Sequence, residues 1–566
     1  MSAFFYRRNN MIQNNRKSLI PFFIGAVAGA LVFIIIFGAS VIVPTNTDWL
    51  FAYPGDATQH QLGWEFYRNS PADFPVGLTH GLTSEGSVSC LYSDSLPLFA
   101  IVFKLLSPVL PGSFQYFGLW GVLCFALNGG FGALLLYRIR PDMVFASVGS
   151  LFYSMFPPTL DRIMHHNSLG AIWLFIIPMI LCIDRNREFR HRYTFTALWC
   201  ADCALAAMIH PYFLPMIFTV MGGYGILAIF RDRQPRRFVI TAVSSALSAA
   251  AALFIIGAFH GKGGYTDGGF GIYSSNLNTF FNGMGHSAFL DALPSRYGQG
   301  EGFGYLGLGA LICCLTGIVS VCIYIARREG GFRKNAAALV KKYRTEVIAF
   351  LAVFAVSFCW AVSDVITLNG RVIIDLPLPY LVRGGLSIYR ASGRFIWLPC
   401  ILVITAGLAG LSRLGKRAAV IAAVLCIAVQ GLDLRKWCSG QHDMFAGDTN
   451  YEFALTDEKW DVLTEGADEV IFLPMPEDYG LYMQMYFDFA QLAEDKDMSL
   501  SSFYLARLDF DAVSAYSLRE YTALKNGGGR SDALYVFFKP EEAPPESDTL
   551  RVYNIDGYTV AKVKLK

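Results

Sequence analysis

Residues 18–43 read SLIPFFIGAVAGALVFIIIFGASVIV, an apolar run without one charged side chain. A helix rises about 1.5 Å per residue and the hydrocarbon core of a bilayer is about 30 Å thick, so about 20 such residues cross it. The segment before it, MSAFFYRRNNMIQNNRK (1–17), is basic and polar. A cleaved signal peptide is the competing reading, but the run is too long for a signal core and has no clear small-residue cleavage site. It is read as a first membrane span, kept in the mature protein.

The rest of the chain repeats the pattern. Further candidate spans lie at roughly 114–137, 143–158, 168–183, 194–210, 212–230, 237–258, 304–326, 345–363, 395–411 and 418–432, about eleven in all. Only 16% of the 566 residues are charged, where soluble domains carry about 25%. The expected class is therefore an α-helical polytopic membrane protein. The loops alternate in character. RIR (138–140), DRNREFRHR (184–192), RDRQPRR (231–237), the 327–344 connection and SRLGKR (412–417) are basic, and those between are mixed or acidic. Basic loops stay in the cytoplasm, which puts the N-terminus inside and the loops 44–94, 259–303 and 364–394 outside. These basic loops read as orientation determinants, and no nucleic-acid partner is expected. Ser95–Pro111 would invert the alternation if it spanned, so it is placed as a helix along the outer membrane surface, in contact with lipid.

The segment from Asp433 onward differs, with 25 acidic against 13 basic residues. DEVIFLPMP (468–476) and ALYVFFK (533–539) read as strands, and 550–565 as a hairpin turning at Asp556-Gly557. YGLYMQMYFDFAQLAED (479–495) has helical period. The expectation is a transmembrane domain, 1–432, followed by a small extracytoplasmic α/β domain, 433–566. Of the twelve cysteines, ten lie in apolar runs as small hydrophobes. Cys90 and Cys438 fall outside them, and a disulfide between these two is one possibility.

Polar chemistry concentrates in the outer loops. YPGDATQHQLGWEFYR (53–68) holds Asp56, His60 and Glu65 within ten positions. If 56–68 is helical, Asp56, His60 and Trp64 share a face at i, i+4 and i+8; the bland reading makes Asp56 an N-cap. Asp94, in YSDSLPLF, has the same two readings. DRIMHHNSLGAIW (161–173) brings His165 and His166, either site residues or an interfacial pair satisfied by headgroups. IHPYFLP (209–215) places one histidine at a helix break, where a structural role is the stronger reading. SRYGQGEGFGYLGLG (295–309) carries Gln299 and Glu301. YRASGRFIWLP (389–399) carries Arg390 and Arg394, positive charges on the outer side that a bound phosphate would explain and that acidic lipid or the acidic tail would also satisfy. Asp202 is the clearest ionisable group inside a span.

GDATQHQLGWEFYR, SDSLPLFAIVFKLLSPVLPGSFQYFGLW, HHNSLGAIW, HPYF and RASGRF, in this order, resemble a family of bacterial multi-span membrane proteins with a GDxxQHxLGWxFxR first loop. The resemblance covers most of residues 45–400. That family is similar to the glycosyltransferase C superfamily, whose members use polyprenyl-phosphate-linked sugars. The resemblance implies an inverting glycosyltransferase of the bacterial cytoplasmic membrane, acting on a cell-envelope glycan or lipid at the outer face. It makes Asp56 the general base on the acceptor hydroxyl. Arg390 and Arg394 would stabilise the departing phosphate, with His60, Glu65, Asp94, His165, His166, Gln299 and Glu301 as further substrate-binding candidates. Some superfamily members bind a divalent cation, Mg or Mn, through outer-loop acids, for which Asp94 or Glu301 are the candidates; the first loop lacks the paired acids (DD, DE or ED) of several branches. Two alternatives remain: a non-enzymatic scaffold or polysaccharide-handling subunit with an outer binding domain, and a lipid-linked-sugar flippase that would depend on Asp202.

Overall fold

The computed structural model describes residues 2–564 apart from 85, 188, 190, 192, 262–267 and 448; the corresponding parts of the 184–192 and 259–303 loops lie outside the described residues. All eleven apolar runs are helical. Among the described residues, nine helical stretches are long and apolar enough to cross a membrane, from Leu19–Phe37 to Lys416–Phe445. They indicate membrane association. Two of the expected spans are short: Met143–Ser154 has 12 residues and Thr194–Ile209 has 16, about 18 and 24 Å of helix. Large apolar side chains such as Val27, Leu247, Leu315, Ile318, Leu351 and Leu425 point outward from the bundle, the inverse of a soluble protein's surface.

The loops sort to two ends. At one end every basic loop touches another. Arg138 pairs with Asp184 (3.0 Å), Arg185 with Asp232 (2.7 Å) and Arg231 with Glu346 (3.0 Å). Arg140 donates to the carbonyls of Ser412 and Leu414, and Arg231 to that of Lys342. The histidine and acidic loops meet at the other end. Small residues let the helices approach: a Cβ on Gly29 of the first helix would lie 2.0 Å from the Phe125 carbonyl oxygen of the Phe117–Ile139 helix, so the two backbones are in direct contact.

Ser95–Pro111 contains the helix Pro97–Leu106 and a 3-10 turn to Val109. Pro97 and Ala100 face inward, while Leu105 and Val109 are about four-fifths exposed, an apolar face turned away from the protein. Two small hairpins stiffen the loops of this end: β1 (Leu78–His80) with β2 (Ser87–Ser89), and β3 (Val365–Leu368) with β4 (Arg371–Asp375).

The last apolar helix does not stop at Leu432. It continues to Phe445, and Asp433 lies buried within it, accepting hydrogen bonds from Tyr305 Oη (2.7 Å), the Leu308 amide (2.9 Å) and Ser287 Oγ. The C-terminal domain that follows carries one five-stranded sheet of β5 (Glu469–Leu473), β6 (Ser499–Leu500), β7 (Ala533–Phe537), β8 (Leu550–Ile555) and β9 (Tyr558–Val563), in the order β6-β5-β7-β9-β8. β5 runs parallel to β6 and β7, and β9 antiparallel to β7 and β8. The hairpin turns at Asp556 and Gly557, both at positive φ, as a two-residue turn requires. The helices Met483–Asp495 and Phe510–Lys525 complete the domain; the second was not legible as an element in the sequence.

This domain is welded to the first loop. The amides of Ser84, Leu500 and Ala506 donate to the carbonyls of Ser501, Gly81 and Tyr92, and Gln59 Nε2 donates to the Tyr504 carbonyl. All twelve cysteines are free, Cys90 and Cys438 included.

Filling the Gly29 contact should loosen the bundle. Gly29→Leu is expected to cost about 1–3 kcal/mol and lower the melting temperature in detergent. Gly440→Ala, where a Cβ meets open space, should leave it unchanged or slightly raised.

Candidate active site

The first-loop helix runs Asp56–Asn69, with Gly55 at its N-cap. Asp56 is its first residue, not its cap, and its carboxylate is free to pair elsewhere. His60 lies one turn on, on the same face, and is fully buried. Glu65, nine positions from Asp56, is turned through about 900°, which is the opposite face. Gly63 lets the 93–95 loop lie against this helix, since a Cβ there would fall 2.3 Å from Ser93 Cβ. Ser95 Oγ donates to the His60 carbonyl, and Asp94 is thereby held over His60.

Five segments far apart in sequence converge here. His166 Nε2 is 3.0 Å from Asp56 Oδ2. His60 Nδ1 is 2.9 Å from Asn167 Oδ1, while the Asn167 amide nitrogen donates to the Ile163 carbonyl. His210 Nε2 faces Asp94 Oδ1 at 3.6 Å, and its Nδ1 accepts from the Tyr212 amide. Glu301 sits between two guanidinium groups, Arg394 Nε at 2.7 Å and Arg162 Nη1 at 3.2 Å. Arg394 lies over the Tyr212 ring at 4.8 Å, with Nη2 3.5 Å from His166.

The charge states follow from these neighbours. Burial raises the Asp56 carboxyl, but attraction to His166 and His60 in their protonated forms and to the Arg394 guanidinium outweighs it and holds it below the ordinary carboxylate range. Burial, reinforced by Arg394 and Arg162, pushes His166 down to about 3 against the pull of Asp56. The pair at neutral pH is a carboxylate and a neutral imidazole that donates Nε2–H. Burial also raises Glu301, yet Arg394 and Arg162 bring it well below the carboxylate range. Asp94 is raised by burial.

The site thus collects Asp56, His60, Asp94, His166, Glu301 and Arg394. It does not collect the other candidates. Glu65 accepts from Gln61 and faces Glu494 of the C-terminal domain. His165 is exposed while its neighbour turns inward. Gln299 is consumed by structure: Oε1 accepts from Asn276 and the Arg296 amide, and Nε2 donates to Thr367. Arg390 is exposed at the rim. As a metal ligand, Glu301 is taken by its two arginines, whereas Asp94 falls within 4.8 Å of ring nitrogens of both His60 and His166. Arg162, Asn167, Tyr212 and His210 are the site residues that the sequence reading left unassigned; a pairing across five loops has no local signal.

Beside the cluster runs an apolar groove of about 700 Å3 between the helices Phe213–Ile226, Pro235–Ile255 and Arg344–Val362. Trp360 and Tyr389 are among its lining residues. Tyr389 packs edge-on against Tyr212, with centroids 5.0 Å apart, so one ring separates the groove's lining from Arg394.

Residues 26–435 match a family described as a domain of unknown function, DUF6311, and residues 459–563 match its C-terminal domain. The chain belongs to the DUF6311 family. No curated protein matches it. The first DUF6311 segment takes in every residue of the cluster, and the interval between the two segments contains the end of the long last helix at Phe445.

Glu65 offers a test of the contact between the first loop and the C-terminal domain. Burial, with Glu494 adding to it, pushes Glu65 from an ordinary 4.5 up to about 8. A carboxyl raised in the folded state contributes stability that is complete below about 4.5 and is lost as pH rises through about 8, at about 1.4 kcal/mol per pH unit at most. Glu65→Gln should melt higher than the wild type at pH 9 and alike at pH 5, read by thermal unfolding at the two pH values.

Proposed function

We propose that this chain is a polytopic membrane glycosyltransferase, and that it transfers a sugar from a polyprenyl phosphate to a cell-envelope glycan or lipid at the outer face of the bacterial cytoplasmic membrane. The observation that carries the proposal is the Asp56 carboxyl and a buried Arg394 in one cluster, with a single ring, Tyr212, between Arg394 and the lining of an apolar groove. An isoprenoid chain in the groove would bring its phosphate to Arg394, with Arg390 at the rim. Glu301 and Arg162 fix the Arg394 fork in place.

The reaction needs a base beside the acceptor and cations beside the leaving group. Asp56 takes the proton of the acceptor hydroxyl as that oxygen bonds to the anomeric carbon. The bond from the anomeric carbon to the phosphate oxygen breaks, its electron pair leaves with the lipid phosphate, and the guanidinium groups stabilise the new charge. A single displacement inverts the anomer. His166, neutral and donating to Asp56, orients the carboxylate. The helix ends support the topology: basic loops at one end mark the cytoplasmic side, and the cluster and the C-terminal domain share the other. A scaffold would have no use for charges sequestered in this way.

The test is mass spectrometry of envelope glycans and lipid-linked sugars in wild type, a gene deletion and Asp56→Asn at matched protein level. Loss of the same sugar in the deletion and the point mutant, with at least about a 100-fold fall in product formation, is expected. A defect in the deletion alone would sink the catalytic reading.

A further inference from the structure

The strongest unassigned feature is the set of nitrogens that face inward. His60 is fully buried, and its Nδ1 meets the Asn167 amide oxygen. That oxygen can only accept, so Nδ1 carries a proton, and in the neutral ring Nε2 is then a lone pair. Nε2 is buried and has no hydrogen-bond partner. His166 shows the same division with the nitrogens exchanged. Its Nε2 donates to Asp56, the 3.0 Å contact taking precedence over the 3.5 Å approach of Arg394, and Nδ1 is buried without a partner. A ring nitrogen of each histidine and an oxygen of Asp94 lie within 4.8 Å of one another.

We infer that His60, Asp94 and His166 form a binding site for a first-row divalent transition ion of the Zn2+ class. Two imidazoles and one carboxylate are a donor set for Zn2+ or Fe2+; Mg2+ and Ca2+ take oxygen ligands. Three protein ligands also leave a coordination position open to substrate or water.

The outer contacts match what metal-binding histidines require. Both histidines are oriented by a partner behind them, His60 by Asn167 and His166 by Asp56, and His210 lies 3.6 Å from Asp94. The formal charges favour a cation. Asp56, Asp94, Asp161 and Glu301 are four carboxylates, against the guanidinium groups of Arg162 and Arg394 and, at the rim, Arg390, which leaves one negative charge. Bonds of about 2.1 Å imply ligand separations of about 3.4 Å, which side chains already within 4.8 Å of one another reach by small adjustments. Bound there, the ion would supply Lewis acidity toward an oxygen of a phosphate or hydroxyl. The inference does not depend on the sugar-transfer reading, because binding is read without turnover.

The experiment uses the full chain in detergent, stripped with chelator and titrated with Zn2+, with metal content and melting temperature measured together. One ion per chain and a raised melting temperature are expected. His60→Gln, Asp94→Asn and His166→Gln should each weaken binding at least about tenfold, and His165→Gln, the exposed neighbour, should not. If these variants do not fold, X-ray absorption on the Zn2+-loaded wild type decides, and a shell with two imidazoles is expected. No stoichiometric ion in the wild type, binding by the three folded variants equal to that of the wild type, or a shell without imidazole would overturn the site.

Discussion

An apolar slab tolerates no unpaired backbone group and few charges, and this constraint orders the whole molecule. Every connection must emerge at one end or the other of the helices. Charges therefore do not scatter; they meet. The basic loops find carbonyls and a few acids at their own end, and Arg140, Arg185 and Arg231 tie together helices that are distant in sequence. At the opposite end the first loop, the 161–167 turn, the helix break at His210 and the approaches at Glu301 and Arg394 share one small volume.

Such a volume is costly to fill with charge. Each ion taken from water loses several kcal/mol of hydration, and a pair recovers it only with good geometry. Glu301 meets the condition, with an arginine on either side. Asp56 meets it with a donating imidazole. His60 Nε2 and His166 Nδ1 do not, and neither do the two oxygens of Asp202 in its helix. Buried polar atoms without partners are uncommon, and two of them on rings that cluster with one carboxylate distinguish a site from a structural ion-pair network. Asp202, alone in its helix, has no such company.

Hydrophobic run length made the helices legible, and loop charge correctly grouped the connections into two sets, because both are local quantities. Period likewise put Asp56 and His60 on one face, and carried far enough it also turns Glu65 away. What remained hidden was pairing at long range. Nothing near Gln299 announces Asn276 and Thr367 as its partners, and nothing near Arg162 announces Glu301. Of two adjacent histidines only the backbone path decides that His166 enters and His165 stays out. The end of the last helix was missed for a different reason. The run turns polar after Leu432, yet the backbone stays helical to Phe445 because Asp433 is paid for by three donors from the 287–308 region.

The weld between the first loop and the C-terminal domain has a temporal side. The bond from Gln59 to Tyr504 spans 445 residues of chain. A membrane protein is made from its N-terminus, and its early segments take their places while the rest is still unmade. Until residue 506 has been translated, the carbonyls of Gly81 and Tyr92 have only water to bond, and Gln59 has no mate. The outer clasp of the first loop thus arrives near the end of synthesis. The groups that set the charge states of Asp56 and Asp94, among them His60, His166, Glu301 and Arg394, are all made before it, so an interrupted translation product carries the cluster on a first loop that is not yet clasped.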